Sequence, residues 1–241
     1  MRGMLAACAL VLVAGLCPAA TGQAHAETLL FHASSSGKQT LDQGEGGGNP
    51  FATSLVEMLA QPRAELWDLP TTLQRLTVQK SGGFQTPDVP AGVARPDWSL
   101  VPATSGERRI ALVLVVSDYT ASGGAPSLSG AKTDAQRIAT ALQRAGFATE
   151  VALDLDLASM RRKLTDFASR SAQYDAAAIY VTGHGVEVAR TVYLLPGDYP
   201  VALKDAALHD RAIRLADIAG SVHARHVNLV FYGGCRDNPF E

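Results

Sequence analysis

The sequence predicts an α/β protein with a mostly parallel sheet and helices on both of its faces. Apolar runs rich in β-branched residues recur along the C-terminal half, and such runs are typical of strands buried on both faces. Amphipathic stripes with helical spacing separate these runs, and alternation of strand and helix indicates a parallel sheet. Composition agrees, because 47% of the 241 residues are hydrophobic and 18% are charged, which is ordinary for a globular domain.

The N-terminal part of the chain is predicted to hold one strand and two helices. Thr28–Ala33 is the strand, and Asn49 followed by Pro50 predicts a helix start, since asparagine is a good N-cap and proline fits the first turn. A second helix is predicted over residues 69–79. The loop at residues 34–48 is rich in Ser and Gly, so it is too polar for a core and long enough to line a site.

The C-terminal half alternates four predicted strands with three helices. We expect Asp134 to cap or open the first helix and Gly146 to lie just after its end. The strands are predicted at residues 110–117, 149–153, 176–181 and 227–232, and the other helices around residues 160–168 and 214–222. Residues 81–106 are rich in Pro and Gly, which break helices and most strands, so they predict a linker or irregular loop.

The first 26 residues are predicted to be a signal peptide. Arg2 supplies the positive start, the apolar run over residues 4–17 is shorter than the ~20 residues that a spanning helix needs, and Ala24-His25-Ala26 fits a cleavage site. We therefore expect a secreted or periplasmic protein with no membrane span after cleavage. The net charge is −2 without a long basic run, which argues against nucleic-acid binding.

Cleavage would leave Cys235 as the only cysteine, because Cys8 and Cys17 lie in the predicted signal peptide. A lone cysteine in an oxidising compartment is either a small buried hydrophobe or a reactive thiol. Cys235 and His184 each come three residues after a predicted strand and each has glycine beside it. Ligands of parallel sheets bind beyond the carboxyl ends of the strands, so neighbouring strands would bring these two side chains together.

A thiol beside an imidazole forms a nucleophile and its base. His184 would take the proton of Cys235, and the thiolate would attack a carbonyl carbon. The backbone N–H groups of Gly185 and Cys235 are candidate oxyanion donors because both lie in Gly-rich turns. No His/Cys cluster has zinc spacing, so no metal site is predicted. An inert cysteine and a thiol redox sensor are the alternatives. The remaining histidines, His32, His209, His223 and His226, are interpreted as surface or loop residues.

Residues 180–185 read YVTGHG and residues 235–240 read CRDNPF. Both blocks resemble the signature motifs of the caspase-like cysteine peptidases, especially the bacterial metacaspase relatives. Further matches at residues 128–135 and 193–196 extend the resemblance over nearly all of residues 108–241. It implies a caspase-like three-layer sandwich and a cysteine endopeptidase that acts on peptide or protein substrates through His184 and Cys235. A caspase-like domain that binds peptides or a partner without cutting is the alternative.

Residues 33–59 and the GGFQTP block at residues 82–87 are similar to the small-subunit region, which normally follows the catalytic cysteine. Here it precedes Cys235. The resemblance therefore implies a circular permutation, as in type III metacaspases, which is physically inexpensive where the old ends can be bridged. The parts would be a small-subunit-like segment at residues 27–87, a linker at 88–107 and a large-subunit-like catalytic segment at 108–241, together one folded unit.

The sequence departs from the family at its substrate-binding residues. The family often has Asp two residues before the nucleophile, where it contributes to a pocket for Arg or Lys, whereas this chain has Gly233. Asp118 and Asp42 are candidate substitutes, and a solvated loop carboxylate is the alternative reading of each. Some relatives need calcium, but no spacing here indicates a calcium site and no cofactor is predicted. The sequence leaves the oligomeric state open.

Overall fold

A computed structural model describes residues 26–93, 97–101 and 103–240. The predicted signal peptide, residues 1–26, lies outside the described residues apart from Ala26. Within the described ranges, no helix combines the length and the apolar character needed to cross a membrane.

The structure contains ten strands, six α-helices and two short 3-10 helices, at Glu45–Gly47 and Val201–Ala207, in its described part. The strands are β1 (Thr28–His32), β2 (Ala64–Glu65), β3 (Ser99–Val101), β4 (Arg109–Val115), β5 (Phe147–Leu153), β6 (Ala176–Thr182), β7 (Gly185–Val188), β8 (Thr191–Leu194), β9 (Ile213–Arg214) and β10 (Val227–Tyr232). The helices are α1 (Pro50–Leu59), α2 (Leu69–Lys80), α3 (Ser129–Arg144), α4 (Leu157–Ser171), α5 (Leu208–Arg211) and α6 (Leu215–Ala219).

The central sheet has five parallel strands in the spatial order β1-β10-β6-β4-β5. Helices α1 to α3 pack on one face, where they bury side chains such as Val113 and Tyr180. Helices α4 to α6 pack on the other face over the alternate side chains, among them Leu112 and Ile179. The α/β fold class with a mostly parallel sheet is therefore confirmed. Strands β4, β6 and β10 are buried along their whole length because helices cover both faces of the sheet.

Helix α1 begins as the sequence predicts. The Asn49 side chain accepts a hydrogen bond from the Phe51 N–H at 2.7 Å, and Pro50 occupies the first helical position. Helix α3 does not begin as predicted, because it starts at Ser129 and Asp134 lies inside it.

The cap of α3 comes from a distant part of the chain. Its own N-cap residue, Leu128, offers no side-chain hydrogen bond. The Asp42 carboxylate instead accepts the N–H groups of Gly130 and Ala131, both at 3.0 Å. This carboxylate satisfies two of the free donors that every helix start exposes.

Replacing Asp42 by alanine is expected to lower the free energy of unfolding by about 1 kcal/mol, the usual cost of losing a helix cap. The matched control is Asp156→Ala, which removes the cap that Asp156 gives α4 through the Ser159 N–H. Urea denaturation should show similar losses for both variants. A loss confined to Asp156→Ala would show that Asp42 does not cap α3.

The hairpin formed by β7 and β8 was not predicted. Its turn residues, Ala189 and Arg190, have φ values of 48° and 64°. Two-residue hairpin turns with positive φ at both positions are normally formed by Asn-Gly or Asp-Gly, so this turn carries no sequence signal. The hairpin follows His184 directly, and β9 extends it on the other side of β8.

Part of the predicted linker forms ordered structure. Strand β3 pairs with β2 in an antiparallel ribbon, and both Trp98 and Leu100 are buried. The buried guanidinium of Arg109 lies 4.5 Å from the centroid of the Trp98 ring and donates to the Leu100 carbonyl at 2.8 Å. These contacts attach the described part of the segment to the start of β4.

Candidate active site

His184 and Cys235 lie at the same edge of the sheet. His184 follows β6, Cys235 follows β10, and these two strands are neighbours. Both side chains line the same two cavities, and they are the residues that the two linings have in common. The structure thus places the predicted nucleophile and its predicted base between two openings.

The imidazole of His184 is oriented by two contacts. Its Nε2 lies 2.8 Å from the Pro126 carbonyl oxygen. Because a carbonyl oxygen only accepts hydrogen bonds, Nε2 carries the proton and Nδ1 holds the free lone pair. The Tyr119 ring contacts the imidazole edge-on at 4.4 Å between centroids. Burial raises the pKa of the Tyr119 hydroxyl, so this group stays protonated. It donates to the Leu195 carbonyl and accepts a hydrogen bond from the backbone N–H of His184.

The thiol of Cys235 is half-buried and contacts the loop at residues 34–48. Its Sγ accepts the backbone N–H of Thr40 at 3.3 Å and lies 3.4 Å from the Thr40 hydroxyl. Among the hydrogen bonds of the described residues, Sγ is bonded to Thr40 and not to His184. Sequence reasoning placed this loop at a site but did not identify Thr40 as a partner of the thiol.

Two buried amides hold the loop next to the thiol. Gln85 is fully buried, and its side chain accepts the Leu41 N–H at 3.0 Å and donates to the Ala33 carbonyl at 3.2 Å. Asn49 donates to the Leu41 carbonyl at 2.7 Å. Gln85 belongs to the GGFQTP block, and its positioning role was not predicted because the contact spans more than forty residues.

The backbone N–H of Gly185, a predicted oxyanion donor, is not used in the hairpin. The Leu195 N–H donates to the His184 carbonyl at 2.9 Å, so the next residue, Gly185, occupies a non-hydrogen-bonded position of the hairpin and its N–H points away from β8. A Cβ atom at Gly185 would collide with the Tyr232 hydroxyl and the Cys235 carbonyl. The backbones of the two predicted donors are therefore in contact, and only glycine fits at position 185.

The smaller cavity beside His184 and Cys235, called here the carboxylate-lined cavity, has two aspartates in its lining. Its volume is about 100 Å³, and its lining includes Gly233, Asp42 and Asp134. Asp134 was predicted only as a helix-start residue. It is fully buried and accepts the Asn49 N–H at 2.8 Å.

The remaining predicted acid, Asp118, lies elsewhere. It is exposed, lines neither of the two cavities, and accepts the Thr120 N–H at 2.9 Å. At Gly233, a Cβ atom would lie 2.8 Å from the Thr182 hydroxyl and 3.0 Å from the Tyr180 hydroxyl. A larger residue there, including aspartate, would require these neighbours to move.

Asp134 gives the protein a predicted dependence of stability on pH. Burial raises the pKa of its carboxyl to about 7, against the opposing effects of the Asn49 N–H and Arg137. A carboxyl whose pKa is higher in the folded state stabilises the protein at low pH, and that stability is lost as the pH rises from about 4 to about 7. At about 1.4 kcal/mol for each pH unit, the free energy of unfolding should fall by about 3–4 kcal/mol relative to Asp134→Asn.

Urea denaturation at pH 4, 5.5 and 7 checks this expectation. Asp118→Asn is the matched control, because the Thr120 N–H lowers the pKa of the exposed Asp118 carboxyl. A difference between wild type and Asp134→Asn that stays constant over this range would contradict the buried, proton-binding state of Asp134.

A buried ion network supports the segment that carries the thiol. Arg236 donates to Glu187 at 2.8 Å and to Asp88 at 2.8 Å. His32 lies beside this network and is not a surface residue as the sequence suggested. Its Nδ1 is buried, and burial together with Arg236 lowers the pKa of its imidazole to about 4. The network connects the nucleophile segment to the hairpin that follows His184.

The described residues do not contain a group of three or more His, Cys, Asp or Glu side chains that could hold a metal ion. A search of curated proteins finds no match to the chain. The family model of the Peptidase_C14 caspase domain matches residues 108–240, more than half of the chain. A match to this family implies a function like that of a cysteine peptidase. The chain therefore belongs to the Peptidase_C14 family of caspase-domain proteins.

Proposed function

We propose that this protein is a secreted or periplasmic cysteine endopeptidase that hydrolyses peptide bonds through Cys235 and His184. The observation that carries the proposal is their placement on adjacent strand ends, where both line the same two cavities. A thiol and an oriented imidazole facing a shared opening are the arrangement that nucleophilic acyl transfer needs.

In the proposed mechanism, the lone pair of His184 Nδ1 takes the thiol proton and Cys235 Sγ attacks the carbonyl carbon of the peptide. The N–H groups of Gly185 and Cys235 stabilise the oxyanion that forms. The imidazolium then gives its proton to the leaving amine, and the C–N bond breaks to leave a thioester. Water, deprotonated by His184, releases the acid product and regenerates the thiol.

Thr40 supplies a further contact to the nucleophile. Its N–H donates to Sγ in the resting state. The thiol must turn from Thr40 towards the imidazole as substrate binds. Catalytic hydrogen bonds are often long before the substrate complex forms.

The carboxylate-lined cavity supports a preference for a basic side chain on the acyl side of the cleaved bond. A guanidinium or ammonium group there would add to the ion pair that Asp134 already forms with Arg137 at 3.2 Å, and it would favour the ionised form of Asp134, which burial disfavours. Asp42 contributes less, because the start of α3 already compensates its charge.

The permuted chain order remains part of the proposal. It is supported by the pairing of β1 with β10, which places the N-terminal segment beside the strand that carries the nucleophile. The loop that follows β1 then supplies Thr40 to the thiol.

A panel of fluorogenic peptides with Arg, Lys, Asp or Ala before the scissile bond tests the proposal, with Cys235→Ala as the control and with calcium present or absent. We expect turnover of the basic peptides that vanishes in Cys235→Ala. The second candidate is a peptide-binding domain without activity, which the Thr40 contact of the resting thiol favours. Binding of the peptides without turnover would establish that candidate instead.

A further inference from the structure

The larger cavity beside His184 and Cys235 is mostly apolar, and the mechanism described above gives it no role. Its volume is about 350 Å³, which lies in the range of ligand pockets, about 300–1,000 Å³. Its apolar lining is formed by Ala125, Pro126, Val186, Leu195, Val201 and Phe240. The carboxylate-lined cavity on the other side is smaller and includes Asp42 and Asp134 in its lining, so the two openings differ in charge.

The positions of the residues that contact His184 and Cys235 indicate which part of a substrate would lie at the apolar cavity. Pro126, whose carbonyl holds His184 Nε2, lines the apolar cavity, whereas Thr40, which contacts Sγ, lines the carboxylate cavity. The acyl part of the substrate bonds to Sγ, and the leaving amine takes its proton from the imidazole. The residue after the scissile bond therefore lies on the side of the apolar cavity.

The walls of this cavity are already in place in the resting structure. Val186 and Leu195 are buried parts of the hairpin region. The opposite wall is the segment that ends at Phe240, and it is attached to β7 because the Glu187 N–H donates to the Asp237 carbonyl at 3.2 Å. Gln39 also donates to the Asp237 carboxylate at 2.7 Å. The carboxylate at the rim of the cavity therefore has a hydrogen-bond donor within the protein.

We propose that this cavity binds a large apolar side chain, such as Leu or Phe, at the residue directly after the cleaved bond. The inference rests on the proposed peptidase function. It makes the protein selective on both sides of the bond, with a basic residue before it and a large apolar residue after it. Fluorogenic amides whose leaving group is a dye would not reveal the second preference.

Internally quenched peptides that differ only after the scissile bond, with Gly, Ala, Asp, Leu or Phe there, provide the test. We expect kcat/KM for Leu or Phe to exceed that for Gly by at least about tenfold, since apolar pockets discriminate by about 10- to 200-fold for small differences in side chain. Val201→Trp, which narrows the pocket from its rim, should reduce this ratio to about one.

Leu203→Trp is the matched control, because Leu203 lies in the same turn, is 53% exposed and does not line the cavity. Its ratio should equal that of the wild type. Turnover of the Gly peptide as fast as that of Leu and Phe would overturn the pocket and leave the peptidase standing. Absence of turnover of every peptide would overturn the peptidase and the pocket with it.

Discussion

His184→Ala is expected to lower kcat at neutral pH by about 10²–10⁴-fold, the range that general acid–base groups contribute. The variant removes the acceptor of the thiol proton and the donor to the leaving amine. The defect should narrow as the pH is raised, because hydroxide can then remove the thiol proton without the imidazole. Steady-state kinetics between pH 6 and 9 on an arginine peptide measures both effects.

His209→Ala is the control for this experiment. His209 is exposed and pairs with its neighbour Asp210, so its loss should leave kcat unchanged. A His184→Ala variant with wild-type kcat at neutral pH would remove His184 from the mechanism.

Arg236→Ala is expected to lower the free energy of unfolding by about 3–5 kcal/mol, the usual cost of removing one partner of a buried ion pair. Glu187 is 7% exposed at its side chain, and it would lose the guanidinium that compensates its charge. Asp88 is more than half exposed and can be solvated by water. Urea denaturation at pH 7 measures the loss.

The double variant Arg236→Met with Glu187→Leu distinguishes a buried charge from a general packing defect. Replacing both partners of a buried pair by apolar side chains of similar size costs much less than breaking it. The double variant should therefore recover more than half of the stability lost in Arg236→Ala. Equal losses in the single and double variants would contradict the ion-pair explanation.

The central strands and the location of the site could be predicted from local sequence. β4, β6 and β10 are mostly apolar because both of their faces are buried, and this leaves a clear pattern in the sequence. His184 and Cys235 follow two of these strands, so parallel pairing alone brings them to one edge of the sheet. The location of the candidate site depends on which residues follow each strand and on the direction of the strands, and both can be predicted from short stretches of sequence.

Contacts between distant segments could not be predicted in this way. Asp42 caps α3 across 88 residues, and Thr40 contacts the thiol across 195 residues. Neither contact follows from a period or a spacing in the sequence. Burial also depends on the final packing. His32 and Asp134 look like ordinary polar residues in the sequence, yet the surrounding structure moves their pKa values in opposite directions.

In the proposed mechanism, the residues that react with the peptide bond differ from the residues that select the peptide. Cys235 and His184 belong to both linings, so in the proposed mechanism they would react with any peptide that reaches them. Asp134 on one side and Val186 on the other differ in polarity, and they would select the residues on either side of the bond.

Labelling of the thiol by a peptide-directed electrophile tests the central claim most directly. The protein is incubated with an arginine-containing peptidyl acyloxymethyl ketone, and the intact mass and the modified residue are determined by mass spectrometry. We predict one adduct per chain, located at Cys235, with labelling that slows strongly in His184→Ala and is absent in Cys235→Ala. An unlabelled wild-type thiol, or labelling at the same rate in His184→Ala, would contradict the account.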